Sequence, residues 1–125
     1  MTIEALKPTE GQIQQCLMDW INLHPVLKEL TIHIPNEGKR SFYTGKKLVR
    51  MGLKAGVSDL FIAYPCNGYH GLWLEIKKKD GHLTFNQIAW LRKMNDLGYK
   101  ADVGWGFDDC KEIIENYISI EKEAA

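Results

Sequence analysis

The sequence predicts an α/β fold in which a mixed four-stranded sheet carries helices on its faces, in the order αβ(α)ββαβα. Three observations predict it. The pattern T-x-x-Q occurs twice, at Thr9–Gln12 and Thr84–Gln87, each time just ahead of apolar residues at helical spacing. Two short, mostly apolar stretches, 59–63 and 72–77, are separated by Pro65, Asn67 and Gly68, the chemistry of a turn. No repeat, low-complexity tract or linker interrupts the chain, so residues 1–125 are expected to form one domain around one core.

In chain order, the first helix starts near Thr9 and carries Ile13, Cys16, Leu17, Trp20 and Ile21, with Pro25 expected to end it or force a turn. Leu30, Ile32 and Ile34 alternate with Thr31 and His33, which predicts a strand stopping at Pro35. Residues 41–51 read as a basic helix that contains Gly45 and is closed by Gly52. The stretches 59–63 and 72–77 are expected to pair as an antiparallel hairpin. Thr84 then starts a helix carrying Ile88, Leu91 and Met94, with Leu83 and Ile88 as its hydrophobic staple and Gly98 at its end. Ala101 and Val103 predict a fourth strand. After Gly106, Asp108 or Asp109 is expected to cap a last helix bearing Ile113, Ile114, Tyr117 and Ile118.

Composition narrows the class. Hydrophobic residues make up 45% of the chain and charged residues 26%, the balance of a globular protein rather than a disordered one. A chain of this size buries roughly two-thirds of its unfolded surface, enough for a core without staples. No apolar run reaches the ~18–20 residues that span a bilayer, and no signal-peptide core is apparent at the amino end. Cys16, Cys66 and Cys110 are odd in number and lack C-x-x-C spacing, which argues against a disulfide framework or zinc ribbon and fits a reducing cytoplasm. His33, His70 and His82 are too scattered to form a zinc set or a nucleophile–base pair.

Sixteen basic and sixteen acidic residues cancel, but their distribution is uneven. Lys39, Arg40, Lys46, Lys47, Arg50 and Lys54 occur with no acid among them, and Lys77, Lys78 and Lys79 form a second cluster. The first group is either a solvated face or a surface that docks a polyanion.

Chemistry is expected at Asp59, Glu75 and Lys77. On a strand, Glu75 and Lys77 point to one side while Leu74 and Ile76 point to the other. A hairpin sets Asp59 beside Glu75, and two converging carboxylates are relieved by a divalent cation with hard oxygen ligands. The backbone carbonyl of Ile76 is a further candidate ligand. Beside such an ion, Lys77 can orient an attacking water and stabilise charge on a phosphate. E-x-K alone is common by chance, and an exposed charged strand edge produces the same pattern. Trp73 shares the Glu75 side, either as core or as a platform for a base.

The runs Gly56-Val57-Ser58-Asp59-Leu60, Gly71-Leu72-Trp73-Leu74-Glu75-Ile76-Lys77 and Gly81-His82-Leu83-Thr84-Phe85-Asn86-Gln87 together resemble the virus-type replication–repair nucleases (VRR-NUC) of the PD-(D/E)XK superfamily. The resemblance runs from about Thr9 to Ile118 and includes Glu10-Gly11-Gln12-Ile13-Gln14 and Ile34-Pro35-Asn36. It implies a restriction-endonuclease-like core and a Mg²⁺- or Mn²⁺-dependent DNA endonuclease acting on branched, flap or junction DNA. It further implies a homodimer, while the cysteine usage and the lack of a long apolar run lead to the expectation of a cytoplasmic location, in a bacterial or phage-infected cell, with no membrane partner. By the same resemblance Asp59 and Glu75 hold metal, Glu10 adds an acid, Lys77 is the catalytic lysine and Gln87 is the site glutamine. Ser58 stands where the family usually has proline. Two roles stay open for Glu10, site ligand or first-turn acid, and for Gln87, site residue or capping-box partner, which one rotamer is not expected to satisfy together. A binding module that retains the fold without cutting is the alternative.

Overall fold

The structure is a computed structural model that describes residues 7–35 and 42–124. The Thr9 capping box forms as expected: its hydroxyl accepts from the Gln12 N–H and the Gln12 side chain accepts from the Thr9 N–H, starting α1 (Glu10–Ile21). Pro25 does not merely end this helix. It occupies the first turn of a second, short one, α2 (Pro25–Leu30), where a missing N–H costs nothing. The expected strand therefore shortens to β1 (Thr31–His33), because Leu30 belongs to α2.

The remaining elements are α3 (Phe42–Arg50), β2 (Leu60–Ile62), β3 (Leu72–Lys77), α4 (Phe85–Asp96), β4 (Lys100–Trp105) and α5 (Phe107–Ala124). The sheet order is β1-β2-β3-β4. The first three strands are antiparallel neighbours and β4 runs parallel to β3, which makes the sheet mixed as predicted. Asp108 and Asp109 lie inside the first turn of α5 instead of capping it, and Asp109 Oδ2 accepts from the Trp105 N–H at 2.8 Å.

Alternation along β2 and β3 sorts the side chains into two layers. Leu60, Ile62, Leu72, Leu74 and Ile76 pack with Ile13, Leu17 and Ile21 of α1 and with Cys110, Ile114 and Tyr117 of α5. Cys16, by contrast, is exposed and outside this stripe. A smaller cluster joins Leu91 and Met94 of α4 to Ala101 of β4, with Trp73, Trp90, Tyr99 and Val103 packed against it. Trp73 is thus half-buried, its ring packed against Phe61 and Trp90. Gly104 permits the close approach of β4 to α5, since a Cβ there would strike Cys110. No helix among the described residues is long and apolar enough to cross a membrane.

Candidate active site

The β2–β3 register pairs Leu60 with Leu74, and one residue further Asp59 comes opposite Glu75. These acids are 5% and 2% exposed, and Lys77 is 7% exposed, so three ionisable side chains are buried at one end of an otherwise apolar hairpin. Burial of charge is costly unless partners are supplied, and the structure supplies several. Asp59 Oδ2 accepts from the Ile76 N–H at 2.7 Å, a short charge-assisted bond that ties the carboxylate to β3. The Asp59 carbonyl accepts from the Ile34 N–H at 2.9 Å, fastening the same residue to the segment after β1.

Glu75 is met from α4. Gln87 Nε2 donates to Glu75 Oε2 at 3.4 Å while Gln87 Oε1 accepts from the Thr84 N–H at 2.9 Å. The two roles expected to compete are therefore filled by one rotamer, because the amide has two ends: its oxygen closes the capping box and its nitrogen faces the acid. Lys77 is met from α1. Its Nζ lies 3.9 Å from Glu10 Oε1, and Glu10 Oε2 accepts from the Lys78 N–H at 3.2 Å.

The site thus has two halves joined by β3. Asp59, Glu75 and Gln87 line a cleft of about 290 Å³ together with Ala55, Gly56, Val57, Thr84 and Asn86. Glu10 and Lys77 form the second half at the end of the strand. Among the described residues no three His, Cys, Asp or Glu side chains converge as a metal-holding group, so Asp59 and Glu75 are the acids the cleft itself offers, and the expected carbonyl ligand, Ile76, follows Glu75 on β3 outside the residues that line it. Two carboxylates and a carbonyl are hard oxygen donors of the kind Mg²⁺ accepts while keeping several waters. At roughly 30 Å³ per water the cleft has room for them.

Gly56 is a part of the site that residue chemistry did not single out, although it opens the Gly-Val-Ser-Asp run. It has φ +87° and lies so close to α4 that a Cβ would strike the Asn86 backbone. The loop carrying Asp59 and the helix start carrying Gln87 are thereby pressed together. Ser58 is fully buried and its hydroxyl has no hydrogen-bond partner. Cys110 is no nucleophile: burial, then the charges of Asp109 and Asp59, push its thiol up to about 12.

Of the expected polyanion surface, Lys46, Lys47 and Arg50 line an open cleft on α3 with Val49, and Lys54 is exposed beyond it. Lys39 and Arg40 lie outside the described residues. The histidines stay dispersed: His33 Nδ1 contacts Gln14 Nε2 at 2.9 Å, and His70 packs edge-on to Tyr99.

The family model of the VRR-NUC domain matches residues 8–107, a span that contains every residue of both halves. The chain belongs to the VRR-NUC family. A solved structure described as a VRR_NUC domain protein has a TM-score of 0.80 and 31% sequence identity over 90% of this chain and 90% of that one. No curated protein matches. The VRR-NUC assignment makes this a nuclease-family domain and accounts for the mixed sheet with helices on both faces.

Proposed function

We propose that this VRR-NUC domain is a metal-dependent DNA endonuclease that hydrolyses phosphodiester bonds in branched, flap or junction DNA. The observation that carries the reading is the burial of Asp59, Glu75 and Lys77 together at the end of the β2–β3 hairpin. Asp59, Glu75 and the Ile76 carbonyl would hold Mg²⁺ or Mn²⁺, with Glu10 joining through the water that such an ion retains. When bound, the ion supplies Lewis-acid polarisation of the phosphodiester.

The chain's own residues do the rest. The Lys77 ammonium, which has donors and no acceptor, stabilises charge developing on the phosphate and orients the attacking water through its oxygen. Glu10 holds that ammonium in place from α1. Gln87 keeps the Glu75 carboxylate turned to the cleft. Lys46, Lys47, Arg50 and Lys54, with Lys39 and Arg40, would neutralise backbone phosphates; such contacts position DNA without reading its sequence. A homodimer would bring two such sites to the two strands of a junction.

The test is a cleavage panel of linear, flap, nicked and four-way-junction DNAs with Mg²⁺, Mn²⁺ or chelator, run beside Lys77→Ala. Metal-dependent cutting of the branched substrates, absent in chelator and in the variant, is expected. Salt-sensitive binding with no product on any DNA would instead establish a non-catalytic binding module.

A further inference from the structure

We propose that Phe85 is the residue that reads the branch, by stacking its ring on an unpaired base beside the scissile phosphate; this rests on the nuclease reading above. Phe85 is 92% exposed, the most exposed large hydrophobic side chain among the described residues. Folding gains almost nothing from an aromatic ring left in water, although rings of this size bury ~150–250 Å² when they find a partner. Its position is what matters. Thr84, Asn86 and Gln87 all line the cleft that holds Asp59 and Glu75, whereas Phe85, between them in sequence, turns to solvent.

The ring stands on a rigid base. The Thr84–Gln87 capping box fixes the first turn of α4, and the Asn86 backbone is pressed against Gly56. With the backbone beneath it fixed, only the two side-chain torsions of Phe85 have to be ordered on binding, which favours a contact surface over a frayed helix end. The ring's only chemistry is a π-face, with no hydrogen-bonding group. In an intact duplex the base faces are covered by their neighbours. At a flap, gap or junction an unpaired base exposes its face, and stacking on an aromatic side chain is sequence-tolerant. The occupant that fits is therefore an unpaired nucleotide of a DNA strand whose adjoining phosphate lies at the cleft.

The experiment places 2-aminopurine at the unpaired position of a flap DNA and follows its fluorescence on binding without divalent metal. Cutting of flap and of linear duplex is measured in parallel with Mg²⁺. Wild type, Phe85→Ala, Phe85→Trp and the control Leu97→Ala, an exposed residue at the other end of α4, are compared. Quenching in the wild type is expected, lost in Phe85→Ala and kept in Phe85→Trp. Flap affinity should fall about tenfold in Phe85→Ala, the scale of one lost base–aromatic stack, and the flap-to-duplex cutting ratio should fall with it. Leu97→Ala should match the wild type. If the wild type cuts but Phe85→Ala keeps both the quenching and the ratio, the inference is overturned while the nuclease reading stands. If the wild type cuts no DNA at all, both fall together.

Discussion

At the start of α1, Thr9 Oγ1 accepts from the Gln12 N–H at 3.1 Å and Gln12 Oε1 accepts from the Thr9 N–H at 2.9 Å. At the start of α4, Thr84 and Gln87 make the same pair of bonds at 3.2 and 2.9 Å. The local chemistry is the same, yet the two helix starts serve the site differently. In α1 the glutamine is exposed and the useful residue is Glu10, the first residue of the helix, which reaches Lys77 and the Lys78 N–H. In α4 the first residue, Phe85, faces solvent and the glutamine itself reaches Glu75. A capping box fixes only how a helix begins. Which of its residues becomes functional depends on what the sheet presents beneath that first turn.

The site that the two helices serve can be broken most severely at its acids. Removing the charge with Asp59→Asn or Glu75→Gln should lower DNA cleavage by about a thousandfold or more, in the range seen when a key transition-state interaction is lost. Single-turnover cutting with Mg²⁺ reads the loss, and retained activity in either variant would remove the acid changed in it from the mechanism. A matched pair then sharpens the contrast. Gln87→Ala should reduce activity by about 10- to 100-fold, the usual effect of losing a group that orients a metal-holding side chain, while Gln12→Ala leaves cleavage unchanged.

Stability effects come next. Gly56→Ala should cost about 2–3 kcal/mol in urea unfolding, because alanine is strained at this positive φ and the Asn86 backbone leaves no room for a Cβ. The smallest effects are expected at the capping threonines. Thr9→Ala and Thr84→Ala should each cost about 1 kcal/mol, and a large inequality between them would show that the two boxes are not energetically alike.

Much of this arrangement was legible because its causes are local. Both capping boxes are interactions across three residues, and both form. The alternation of Leu74 and Ile76 with Glu75 and Lys77 follows from strand geometry, and the turn residues after β2 made an antiparallel hairpin the economical connection. Glu10 and Gln87 entered through the family resemblance, since nothing in their own spacing tied them to a hairpin far along the chain. Local patterns also mislead. Pro25 reads equally as a terminator or as the first residue of a new helix, and the alternation 30–34 hid the fact that Leu30 completes α2.

The sequence by itself determined the starts of α1 and α4, the alternation along β3 and the placing of two acids and a lysine at the β2–β3 hairpin, because these depend on neighbours a few residues away. Only the tertiary structure decided that Gln87 serves Thr84 and Glu75 with one side chain, that Glu10 faces Lys77 and Lys78, and that Trp73 packs against Phe61 and Trp90. Those outcomes turn on how α1 and α4 dock against the sheet. Docking is settled by burial and by contacts between residues distant in sequence, which no local pattern records.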